Sequence, residues 1–167
     1  MGKGAGGLFD DYGQSVATDA AGNVFVVGFF SSDTINFGTN SLVNIGVLPN
    51  VPDIFIVKYD ATGNVVWAKK TGGIFGDRGY GIATDASGNV FVTGSYDSQI
   101  DFGSTVLNSG GSYNCMFIVK YDTAGNVLLT CPPSPISKKM ALKINMLYSF
   151  FVNLTALKGQ KCFILES

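Results

Sequence analysis

Val16-Ala17-Thr18-Asp19-Ala20-Ala21-Gly22-Asn23-Val24-Phe25-Val26 returns later in the chain as Ile82-Ala83-Thr84-Asp85-Ala86-Ser87-Gly88-Asn89-Val90-Phe91-Val92. In both copies apolar residues flank an Asp-x-x-Gly-Asn turn, the pattern of a β-hairpin. Gly enters positive φ cheaply, and an Asp carboxylate at the first position can accept from backbone N–H groups of the turn. A second hairpin of the same design, Phe55–Trp67, recurs as Phe117–Leu129 with 9 of 13 positions identical. Between Asp11–Phe29 and Asp77–Ser95, 12 of 19 positions are identical. The offset between copies is 66 at the first hairpin, 65 at Ile35–Gly38 against Ile100–Gly103, and 62 at the second hairpin. Insertions and deletions therefore fall between hairpins, where surface loops tolerate them.

Each repeat reads as four main strands. In the first these run from about Gln14 to Thr18, Asn23 to Phe30, Asp53 to Tyr59 and Asn64 to Lys69. Short extended pieces are expected at Ile35–Phe37 and Leu42-Val43. The second strand is apolar nearly throughout, which predicts cover on both faces. Short hairpin-linked strands packed on both faces suit the stacked sheets of a propeller. The expected fold is all-β: two four-stranded antiparallel blade-like sheets of an incomplete β-propeller, over about 6–71 and 72–130. Residues 131–167 form a separate, non-repeat tail.

Composition agrees. The 167 residues are 46% hydrophobic and 14% charged, with 22 Gly, which suits a folded chain rich in turns. The net charge of −1 gives no pull toward nucleic acid. Charge is split, however. Residues 1–130 hold eleven Asp against five Lys and one Arg (net −5), whereas 131–167 hold five Lys and one Glu (net +4). The repeat breaks at Thr130-Cys131-Pro132-Pro133-Ser134-Pro135, since proline cannot continue a central strand. Ser137 is placed to cap a helix from about Lys138 to Leu157. The tail admits three readings: a helix capping an exposed sheet face, an interfacial membrane segment, or non-native sequence from a truncated or frame-shifted gene. The abrupt change in mid-repeat favours the last as its origin.

Residues 3–129 resemble the bacterial β-propeller repeat family labelled SBBP. The resemblance rests on Ala17–Gly28, Ile35-Asn36-Phe37-Gly38, Asp53–Asp60, Gly63–Lys69 and the closing Gly72-Gly73. The second copy departs from the first where Cys115 stands for Asp53 and Leu129 for Trp67, and the tail has no counterpart. The resemblance implies a propeller, extracellular or cell-surface placement, and membership of longer proteins. It carries no active-site residues.

The chemistry in the sequence is thin. There is no His, which removes the usual general base and the commonest metal ligand. Cys115, Cys131 and Cys162 are odd in number and lack zinc spacing, so they read as three thiols or as one disulfide with one left over. The turns are Asp19, Gly22, Asn23; Asp60, Gly63, Asn64; Asp85, Gly88, Asn89; and Asp122, Gly125, Asn126. They resemble calcium loops only superficially. Each offers one carboxylate and one amide where Ca²⁺ takes six to eight oxygens, so they read as structural turns, with no catalytic, cofactor or metal residue assigned. Asp10 with Asp11, or Asp97 with Asp101, are the candidate pairs for glycoside chemistry, yet nothing in their spacing aims them at one another. The glycine pairs lack the helix and Lys-Ser/Thr that a phosphate loop needs. Aromatic residues such as Phe25, Phe29, Phe55, Tyr59, Trp67 and Phe91 read as packing rather than a sugar platform. The sequon Asn153-Leu154-Thr155 is read as chance.

No signal peptide and no stretch of 18 uninterrupted apolar residues is present. The expected function is a non-enzymatic structural or interaction module presenting loops to protein or glycan. The alternative is a polysaccharide-active hydrolase or lyase on a propeller scaffold. Two blades leave end faces that further blades, the tail or another chain must cover, so residues 1–130 alone are expected to self-associate.

Overall fold

The structure, a computed structural model, describes residues 4–111 and 113–131. They lie in one compact unit, Met1–Pro133. The candidate helix from Lys138 to Leu157 lies outside the described residues.

Twelve strands follow one another, with no helix among the described residues. The first repeat contributes β1 (Asp11–Thr18), β2 (Val24–Phe30), β3 (Thr34–Phe37), β4 (Asn40–Val43), β5 (Asp53–Tyr59) and β6 (Val65–Thr71). The second contributes β7 (Arg78–Thr84), β8 (Val90–Tyr96), β9 (Gln99–Asp101), β10 (Val106–Asn108), β11 (Cys115–Tyr121) and β12 (Val127–Cys131). Strands β1-β2-β5-β6 form one antiparallel four-stranded sheet, and β7-β8-β11-β12 the other. These are the two blades, and they do not close a ring. The short extended pieces pair with each other, β3 with β4 and β9 with β10, as small hairpins outside the blades.

Both blades bend at matching places. Register shifts fall between Gly13 and Ser15 and between Gly79 and Gly81, then between Lys58 and Tyr59 and between Lys120 and Tyr121. A bulge increases local twist, so the repeated sequence reproduces the same curvature.

Alternation along the strands sorts the core into two layers. Phe25, Val27, Ile54 and Ile56 of the first blade share one cluster with Ile82, Val90, Val92, Phe117, Val119 and Tyr121 of the second. The opposite face of the first blade, with Phe55 and Val57, packs with Ile35, Phe37 and Leu42 of the β3–β4 hairpin. The small hairpins use the same contact in each repeat: Phe37 lies 5.0 Å from Phe55, and Phe102 5.2 Å from Phe117. Blades thus stack front to back. Each buried Phe or Ile contributes about 1.5–3 kcal/mol of transfer free energy to that contact.

Polar contacts cross the junction as well. Lys58 Nζ and Trp67 Nε1 both donate to the Thr123 carbonyl, at 3.1 and 3.2 Å. Thr84 Oγ1 donates to the Thr18 carbonyl at 2.8 Å, and Thr71 Oγ1 to that of Asp101 at 2.6 Å.

Candidate functional site

The four turns are built alike. In each, Asp Oδ1 accepts from the backbone N–H groups two and four residues on, and Oδ2 accepts from the Asn side-chain amide. Gly22, Gly63, Gly88 and Gly125 sit at φ of 80°, 86°, 76° and 83°, where a side chain is strained. Hydrogen bonds from Thr62 and then Asn64 hold the Asp60 carboxyl down to about 2. The Asp122 carboxyl is lowered first by the Asn126 backbone N–H. At Asp19 and Asp85 burial works upward, and the bonds from Asn23 and Asn89 outweigh it. All twelve turn residues are therefore occupied in closing hairpins.

The turns also gather at one rim. Gly22 lies against Ala61, Gly88 against Thr123 and the Asp19 carboxylate, and Gly125 against Trp67 and Lys69.

The opposite rim carries the loops that differ between repeats. Loop 44–51 is tied to the interblade segment by the Val47 N–H donating to the Ile74 carbonyl, 3.2 Å, and by Asp77 N–H donating to the Pro52 carbonyl, 2.8 Å. This tie brings together five exposed apolar side chains, Ile45, Val47, Leu48, Ile74 and Phe75, with Leu48 64% exposed. Beside the small hairpin, the free face of the first blade forms a groove of about 580 Å³ lined by Tyr12, Val24, Val26, Phe55, Val57 and Tyr59 among others.

Three of the acids singled out in the sequence each serve a separate backbone or hydroxyl contact. Asp11 accepts from Gly7 N–H and the Ser32 hydroxyl, Asp97 from Asn114 N–H, and Asp101 from Gly103 N–H. The carboxylates that do meet are Asp53 and Asp77, one from each repeat and both fully buried. Gly72 packs against both. A Cβ built there would stand 2.1 Å from Asp53 Oδ1 and 3.2 Å from Asp77 Oδ2, and one on Gly73 would stand 2.2 Å from the Gln99 carbonyl. The second glycine pair is thus a close-packing device wedged among acids, not a phosphate cradle. Sequence reasoning missed this pairing because it depends on stacking. The signal was the position of Asp53 and Asp77 immediately flanking the inter-repeat connection.

A family model described as a beta-propeller repeat, SBBP, matches residues 66–98. Residues 66–98 carry a β-propeller repeat of the SBBP family. The match begins in β6 and ends just past β8, so the SBBP unit runs across the junction between the two blades rather than along one of them. Among curated proteins the chain is similar to an uncharacterized WD repeat-containing protein of Acanthamoeba polyphaga mimivirus, 32% identical over 145 residues. The match covers 72% of this chain and 10% of the viral protein, so the chain spans about a tenth of its relative's length. No helix of the described residues is long and apolar enough to cross a membrane.

Proposed function

We infer that this chain is a non-catalytic interaction module of a secreted or cell-surface protein, with its loop rim meeting a protein or glycan partner. The observation that carries the reading is the tied pair of loops exposing Ile45, Val47, Leu48, Ile74 and Phe75 beside one another. Exposed apolar clusters on a rigid scaffold mark contact surfaces. Sitting where the repeats differ in length, the 44–51 loop is free to specialise while the turn rim holds the blades. The family match supports a repeat-type interaction role, and extracellular or surface placement rests on the family resemblance alone. Further propeller blades or another chain are the natural cover for the free sheet faces.

No catalytic group and no cofactor is assigned. The converging acids are buried from any substrate, and the accessible ones serve loops. Calcium is the one ion that the turn chemistry raises, and a calcium titration that leaves the melting temperature unmoved disposes of it.

Protein and glycan arrays probed with the full chain and with Leu48→Asp test the reading. Saturable binding lost in the variant, with unchanged unfolding, is expected. Turnover in a panel of hydrolase and lyase substrates overturns it in favour of an enzyme. Fractionation of the producing cells tests placement, and retention in the cytosol refutes secretion.

A further inference from the structure

Two blades meet over a charge imbalance that the packing does not relieve. Asp53 and Asp77 are both fully buried and both reach the same side of Gly72. Asp53 Oδ2 accepts from Ile45 N–H at 2.9 Å and lies 3.5 Å from Lys70 Nζ. Asp53 Oδ1, buried, has no hydrogen-bond partner. Asp77 Oδ2 accepts from Gly73 N–H at 2.6 Å, and Oδ1 receives only a long bond from Asp97 N–H, 3.3 Å.

The surrounding groups offer little compensation. Among the described residues Lys70 of β6 is the single cation against the pair, and it serves Asp53. Arg78, next to Asp77 in the chain, lays its guanidinium over the Phe29 ring, 5.4 Å from the centroid. On the other side stands Asp97, a further acid. Tyr96 of β8 is fully buried with an unpartnered hydroxyl. Burial, then Cys115 of β11 and Asp77, push its phenol up to about 12, so it stays protonated and neutral.

We propose that Asp53 and Asp77 form a proton-binding pair, in which a single proton bound by the pair keeps the blade junction closed. With that proton the cluster is Asp53⁻, Lys70⁺ and neutral Asp77, with no net charge. Loss of the proton leaves two like charges in a site that excludes water, a state that buried acid pairs avoid. Burial first, and then the Asp53 and Asp97 charges, raise the Asp77 carboxyl to about 8, against the downward pull of the Gly73 and Asp97 backbone N–H groups. Asp53 is raised too, by burial. The apparent midpoint belongs to the pair. The junction is thereby a switch that loosens in mildly alkaline solution.

The sign follows from linkage. The folded chain keeps a proton that the unfolded chain sheds near the ordinary carboxylate value of 3.8. Stability therefore falls as pH rises from about 4 to about 8 and levels off beyond. In that window each pH unit raises the unfolded-to-folded ratio by up to about tenfold.

The test is a ¹³C NMR titration of the side-chain carboxyls in the full chain, with urea unfolding at pH 5 to 9 of wild type and Asp77→Asn. The expected result is a buried aspartyl carboxyl titrating near 8, and a pH slope that Asp77→Asn removes, because the amide mimics the protonated acid. Asp53→Asn should move the remaining midpoint down. All Asp carboxyls titrating below about 5 in wild type, or an unchanged slope in Asp77→Asn, overturns the proposal. If Asp77→Asn does not fold, the wild-type titration decides alone.

Discussion

Gly13 and Gly79 occupy the same place in the two repeats, at the start of the bulge in the first strand of each blade. The space around them is quite different. A Cβ on Gly13 would have Val26 Cγ1 at 3.9 Å as its nearest neighbour, an ordinary contact. A Cβ on Gly79 would stand 2.5 Å from Val27 Cγ2, 3.0 Å from Ile54 Cγ2 and 3.2 Å from the Gly28 carbonyl, all in the preceding blade. Val27 and Ile54 are fully buried, β-branched and stiff, so the methyl must push the blades apart. Overpacking of this kind costs about 1–3 kcal/mol. Replacing Gly by Ala returns about 0.4–1 kcal/mol through the unfolded chain at both positions. Gly79→Ala should therefore destabilise by about 1–2 kcal/mol, while Gly13→Ala is neutral or stabilising by up to about 1 kcal/mol. Urea unfolding reads the difference through Trp67, the single tryptophan, which packs against the interblade cluster. With a slope of about 2 kcal/mol per molar urea, the two midpoints should separate by roughly 1 M. Equal midpoints would refute front-to-back stacking through this face, because only the neighbouring blade distinguishes the two sites.

Three further outcomes are expected. The lowered Asp19, Asp60, Asp85 and Asp122 contribute stability above the ordinary carboxylate range that is lost as pH falls through their folded values, down to about 2 at Asp60. Together with the acid pair, this places the stability maximum near pH 4–5, and a maximum above pH 7 in a denaturant series would contradict it. Gly63→Ala, at φ 86°, should cost about 1–2 kcal/mol, while Ala61→Gly in the same turn costs less than 1, measured as midpoint shifts. Residues 1–130 alone should self-associate through their free sheet faces. A monomer in size-exclusion chromatography with light scattering would end that expectation.

Much of the blade was legible because its signals are local. Asp19-x-x-Gly22-Asn23 closes its hairpin with atoms drawn from five consecutive residues, so the turn and its register can be read without the rest of the fold. The flanking apolar runs then name the strands, and the second copy names the repeat. Strand ends were harder: β1 begins at Asp11 rather than near Gln14, since the bulge at Gly13–Ser15 lets pairing continue beyond it. The extended pieces at Ile35–Phe37 and Leu42-Val43 were visible as strands, but not as a separate hairpin on the face of the blade.

From the sequence alone came the repeat, its hairpins, its turn residues and the boundary near the prolines, because each depends on neighbours within a few residues or on comparison of one copy with the other. Tertiary structure decided everything that lies between the copies. Asp77 repeats Asp11, and Gly79 repeats Gly13, yet only the second member of each pair is pressed against a preceding blade. Stacking makes one aspartate a buried acid and one glycine indispensable, whereas their twins stay at the open end of the stack.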